Sequence, residues 1–71
     1  MELPLDTEIG KLIGVFEQDT LSGNYVAFLK KYPAVVVQAE SISEGVNKLY
    51  EALDAFIEYM GKKGIHNLNQ D

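Results

Sequence analysis

Cysteine is absent from all 71 residues, which excludes disulfides, thiolate metal sites and cysteine nucleophiles. Arginine is absent too: the cationic side chains are six lysines, set against eleven acids for a net charge of −5. A chain that grips a phosphate backbone needs a basic face and commonly uses bidentate arginine, so direct nucleic-acid binding is not expected. The single histidine, His66, has no serine, cysteine or aspartate in a supporting position. A general base or metal ligand needs such an orienting group, and none is expected here. There is no glycine-rich phosphate loop, zinc-ligand spacing or nucleophile motif, so neither enzyme activity nor a cofactor is expected. No apolar run reaches the roughly 18–20 residues that span a bilayer. The opening Met1-Glu2-Leu3-Pro4-Leu5-Asp6 lacks the basic start and apolar stretch of a secretion signal. The expected location is the cytoplasm, with no membrane contact.

What is present can fold. Apolar residues make up 46% of the chain and charged residues 24%, a balance of globular rather than disordered proteins. The length suits one domain over residues 1–71, and a domain this small without a covalent staple commonly gains stability by association. A homo-oligomer, dimer or tetramer, is the expectation, and the acidic balance suits a basic partner.

Along the chain, residues 1–8 read as a lead-in, with Pro4 and three acids giving little to pack. Residues 9–60 read as a β-β-β-α core. In the first strand, residues 9–19, Ile13 and Val15 fall on one side and Leu12 and Phe16 on the other. Ser22-Gly23-Asn24 is a hairpin turn signal. In the second strand, residues 25–30, Val26 and Phe28 share one face and Tyr25, Ala27 and Leu29 the other. Pro33 interrupts, having no N–H to give to a ladder, and residues 34–39 form the third strand. Ser41-Ile42-Ser43-Glu44 is a capping box. Ile42, Val46, Leu49, Tyr50, Leu53, Phe56, Ile57 and Met60 then repeat at helical steps of three and four. The expected helix, residues 43–60, stops at Gly61. Residues 61–71 are a tail that frays or adds a short C-terminal strand. The fold class is therefore α+β: a three-stranded antiparallel sheet packed on one long helix.

One helix covers one face of such a sheet, while alternation here makes both faces apolar. The uncovered face is a candidate interface, carrying Leu12, Phe16, Tyr25, Ala27 and Leu29 or else the opposite set. Glu17 and Asp19, two apart on the first strand, could hold a hard cation, which would suit a metal-dependent nuclease or hydrolase remnant. As strand-end acids they are equally a solvated, aggregation-resistant edge. Glu44, Glu51 and Glu58 recur every seven residues, as a solvated helix face or as an acidic docking stripe. Tyr25, Tyr32, Tyr50 and Tyr59 have few lysines interleaved, which favours packing over base stacking. A small-molecule site at a dimer seam is neither supported nor excluded.

Residues 24–53, N-Y-V-A-F-L-K-K-Y-P-A-V-V-V-Q-A-E-S-I-S-E-G-V-N-K-L-Y-E-A-L, resemble the N-terminal domain of the HicB antitoxin family. That family shows a Tyr-Val-Ala-type strand, a Pro-Gly, then Gly-acid-Thr and a Glu-Ala on the first helical turn. Pro33, Glu40-Ser41 and Glu44 match it without a gap. Ala34, Ala39 and Gly45 depart from it. The resemblance extends over roughly residues 11–60 and implies a truncated relative of the RNase H fold that assembles as dimers or higher. It also implies a non-enzymatic antitoxin that binds a small basic ribonuclease toxin and blocks its catalytic histidine. The family's second, DNA-binding domain has no counterpart after the helix, so operator binding by this chain is not implied.

Overall fold

The computed structural model describes residues 1–70, giving the backbone alone for residues 62–70. Four strands and a helix follow one another: β1 (Glu2–Thr7), β2 (Gly10–Gln18), β3 (Tyr25–Leu29), β4 (Val36–Ala39) and α1 (Ile42–Gln70). The strands form one antiparallel sheet in the order β1-β2-β3-β4, and α1 packs on β2, β3 and β4. The class is α+β. Among the described residues no helix is long and apolar enough to cross a membrane.

Residues 1–8 are not a loose lead-in, because β1 pairs with β2 from Glu2↔Val15 to Thr7↔Gly10. Its alternation is what an outer strand requires. Leu5 is buried and Leu3 half-buried under the helix, while Glu2, Pro4 and Asp6 are exposed on the other face. Met1 and Phe16 exchange both backbone bonds, at 2.7 and 2.9 Å. Bonded and non-bonded pairs alternate along an antiparallel ladder, so the nitrogen of Pro4 points to the open edge. The missing N–H therefore costs no ladder bond, which is why proline is accepted there.

The two longer connections are built as their residues dictate. Between β2 and β3, the Asp19 carboxylate accepts Leu21 N and Ser22 Oγ, both at 3.0 Å, and Gly23 takes φ +79°. After β3, Tyr32 to Val35 form a turn closed by Val35 N donating to Tyr32 O at 2.9 Å, with Pro33 at the second position, where its fixed φ fits. The third strand of the sequence reading is thereby shortened to β4, and Val35 becomes a buried core residue.

The helix start is capped with one change of partner. Glu44 N donates to Ser41 Oγ at 3.1 Å, but the Glu44 carboxylate accepts Glu40 N, not Ser41 N, at 3.1 Å. Lys48 joins this group, 3.3 Å from Glu44 Oε1 and donating to Gln38 O at 2.9 Å. The end of β4 is thus tied to the first turns of α1. Gly61 does not end the helix. It is helical and is not among the glycines with positive φ, so the left-handed cap conformation is not used. Residues 61–70 continue α1 and add no strand; the side chain of His66 lies outside the described residues.

Backbone N–H donors hold the carboxylates of Asp19, in the β2–β3 loop, and Glu44, in the first turn of α1, below their ordinary pKa, Leu21 N foremost for Asp19 and Glu40 N foremost for Glu44. A lowered folded-state pKa contributes stability that is present above the ordinary carboxylate range and is lost as pH falls through the lowered value. The melting temperature is expected to be flat near neutrality and to drop below about pH 4. In Asp19→Asn the midpoint at neutral pH is lower and the acid drop shallower, as read by circular dichroism across pH.

The core lies between sheet and helix. Leu5, Leu12, Phe16, Ala27, Leu29, Val35, Leu49 and Leu53 are its buried members. Gly14 and Gly45 let the layers approach. A Cβ on Gly14 would sit 3.1 Å from Leu5 Cδ1 and 3.2 Å from Leu49 Cδ1, and one on Gly45 only 2.8 Å from Phe16 Cε2.

Candidate functional site

The core assigns the two faces of the sheet. Leu12, Phe16, Ala27 and Leu29 are buried under α1, and Tyr25 is half-buried against the same cluster. These five are therefore not the exposed interface that the sequence reading placed first; they are the helix-covered face. The open face carries the opposite set, Ile13 and Val15 on β2 with Val26 and Phe28 on β3.

Two further residues enlarge it. Pro4 lies opposite Ile13 across β1 and β2, and Val36 opposite Phe28 across β3 and β4. The registers align Glu2, Val15, Phe28 and Val36 in one row across all four strands. Val26 is 37% exposed and Val36 53%; Ile13, Val15 and Phe28 are half-buried. Sequence patterning does not disclose Pro4, because a segment with a proline and three acids among eight residues reads as a lead-in. Val36 was visible only as one of three consecutive valines whose facing a sequence does not disclose.

Charges border this patch unevenly. At one end Lys11 lies 4.0 Å from Asp6, and Lys30 lies 3.5 Å from Glu2. At the other end Glu17, paired with Val26, and Gln38 close the face. The patch is therefore apolar in the middle, charge-balanced at one end, where two lysines pair with two acids, and bordered by Glu17 at the other.

Glu17 and Asp19 do not combine into a cation site. Glu17 is on β2, whereas Asp19 lies past the strand end, with its carboxylate turned to Leu21 and Ser22. Among the described residues no three acidic or histidine side chains gather as a metal-binding group. The depression beside Asp19, lined by Ser22, Asn24, Tyr25, Val26 and Gln38, measures about 110 Å³, below the roughly 300 Å³ at which small-molecule pockets begin. A wider apolar groove of about 440 Å³ lies among Ile9, Tyr32, Phe56, Ile57 and Met60, floored by the Tyr32–Phe56 ring pair at 5.6 Å.

Of the recurrent helix acids, Glu51 is exposed and Glu44 serves the cap. Asp54 is exposed as well. The tyrosines Tyr25, Tyr32 and Tyr50 pack against the core, while Tyr59 is exposed.

No protein-family model, curated protein or solved structure matches the chain.

Proposed function

We propose that this chain is a non-enzymatic protein-interaction module of the HicB antitoxin type, a truncated relative of the RNase H fold, which meets other proteins through the open face of its sheet. The observation that carries the reading is the row Val15, Phe28 and Val36 with its neighbours Ile13 and Val26, an apolar surface with no element of the described chain packed over it. A monomer gains nothing by exposing such a surface, and contiguous apolar patches commonly mark contacts between proteins. Its apolar centre and charged border match the anatomy of a small interface. The resemblance supplies the kind of hetero-partner, a small basic ribonuclease, and the net charge of −5 would speed that encounter. The cytoplasm is the matching location.

Phe28→Lys tests the reading. Phe28 is on the open face, so the variant is expected to fold and to keep the far-ultraviolet spectrum of the parent. Association is expected to be lost, measured by light scattering for self-association and by titration with the product of the neighbouring gene. Unchanged association in both measurements would place the contact surface elsewhere. A neighbour that binds the parent chain but is not inhibited in an RNA-cleavage assay would remove the antitoxin part of the reading.

A further inference from the structure

The wider apolar groove shares no residue with the open face of the sheet. Its walls come from the β1–β2 turn (Ile9), the β3–β4 turn (Tyr32) and the middle of α1 (Phe56, Ile57, Met60, Gly61), and it encloses about 440 Å³. That volume is inside the roughly 300–1,000 Å³ of small-molecule sites, which are mostly apolar with a few polar groups. Ile9 and Met60 on its rim are about half exposed, at 46 and 48%.

The backbone of these walls offers a ligand little to bond with. Ile9 N donates to Thr7 Oγ1 at 3.2 Å. Tyr32 N donates to Leu29 O at 3.1 Å, and Tyr32 O accepts Val35 N at 2.9 Å. Phe56 to Gly61 are helical, so their amides and carbonyls are paired along α1. An extended peptide laid here would leave its own amides without partners, whereas a hydrocarbon chain has none to satisfy. Two polar groups do remain, both at Tyr32. The Tyr32 hydroxyl has no hydrogen-bond partner among the described residues. Of the lysines whose side chains are described, Lys11, Lys30 and Lys48 each lie within 4.0 Å of a carboxylate. Lys31 has no such pair, and its Nζ lies 5.8 Å from the centroid of the Tyr32 ring, the ring that stacks on Phe56 as the groove floor.

We propose that this groove binds a single-chain amphiphile with an anionic head, of the class of medium-chain carboxylates. The alkyl chain lies on Ile9, Phe56, Ile57 and Met60, and the head meets the Lys31 ammonium and the Tyr32 hydroxyl. Glu8 adjoins Ile9 in the chain, which places the head at Tyr32 and not at Ile9. The net charge of −5 opposes any anion at long range, so a preference for one has to come from Lys31. This site and the contact face of the sheet are separate, and either can fail without the other.

Titration of the full chain with octanoate, decanoate, 1-octanol and octyltrimethylammonium, each below its micelle threshold, tests the site by NMR. Shifts are expected at Ile9, Ile57 and Met60 and not at Ile13 and Val15. Affinity should rise about fourfold per added methylene, so decanoate is expected to bind more than tenfold tighter than octanoate. Octanoate should bind tighter than octyltrimethylammonium. Lys31→Gln is expected to weaken octanoate by about fivefold, the upper range for an exposed ion pair, and to leave 1-octanol unchanged. Met60→Gln and Ile9→Thr, at half-exposed positions, should keep the parent's circular dichroism and weaken octanoate and 1-octanol alike. No shift at the groove with decanoate, or unchanged binding in both wall variants, would overturn the site. Equal or tighter binding of octyltrimethylammonium, or octanoate binding unaffected by Lys31→Gln, would overturn the anionic head. A response to anionic phospholipid vesicles without one to free decanoate would overturn the single-chain ligand.

Discussion

Leu29→Lys is expected to yield no folded protein under conditions where Phe28→Lys folds normally, although the two positions are neighbours on one strand. Leu29 is 1% exposed beneath α1; Phe28 faces solvent beside Val15 and Val36. Lysine at position 29 removes a buried leucine and forces an ammonium group into a core that, among the described residues, contains no buried polar side chain. A buried, unpaired charge and lost packing together cost several kcal/mol. Stability of roughly 0.05–0.15 kcal/mol per residue gives a chain this short about 4–10 kcal/mol in all, so the substitution consumes most or all of it. Far-ultraviolet circular dichroism and a urea titration of the two variants side by side check this. If Leu29→Lys folded and merely failed to associate, the assignment of the faces would be reversed. The pair thus separates a core residue from an interface residue, which measuring association alone would not do.

Phe16→Ala is expected to cost about 3–5 kcal/mol, the range for emptying a buried phenylalanine site. The ring is 2% exposed and lies against the helix backbone at Gly45, where a Cβ would approach Cε2 to 2.8 Å. That contact gives Gly45 a physical reason. On helix propensity alone Gly45→Ala should stabilise by roughly 1 kcal/mol, but in this packing the buried ring must shift, and overpacking costs about 1–3 kcal/mol. The net expectation for Gly45→Ala is destabilisation of about 1 kcal/mol. In a Phe16→Leu background the steric cost disappears and the same substitution should become neutral or stabilising. A double-mutant cycle from urea titrations measures this coupling. Additive effects would mean that ring and glycine do not touch.

Residues around the helix start and the turns were legible because their signals are local. Ser41 and Glu44 cap a helix wherever it goes, and the one misread partner, Glu40 N in place of Ser41 N, is a shift within the same turn. Gly23 takes the positive φ that a Ser-Gly-Asn turn asks for. Gly61 was misread for a related reason. A glycine ends a helix only if it enters the left-handed region, and φ is not written in the residue type.

β1 escaped notice because its open face is Glu2, Pro4 and Asp6. On a central strand those residues would be disqualifying, whereas on an edge strand they are suitable, and position in a sheet is not a property of a segment. The candidate site shows the same division. Period-two alternation determined which residues travel together, Leu12 with Phe16, Ala27 with Leu29, Val26 with Phe28. It could not determine which group the helix covers, since both are apolar and a half-turn of the sheet exchanges them. Tertiary packing decided that. The hollows at Gly14 and Gly45 receive Leu5, Leu49 and Phe16 on the covered side, where helix and sheet close to van der Waals contact. Chain order and local chemistry were therefore readable from the sequence, while the choice between two nearly equivalent faces depended on volumes contributed by residues far apart along it.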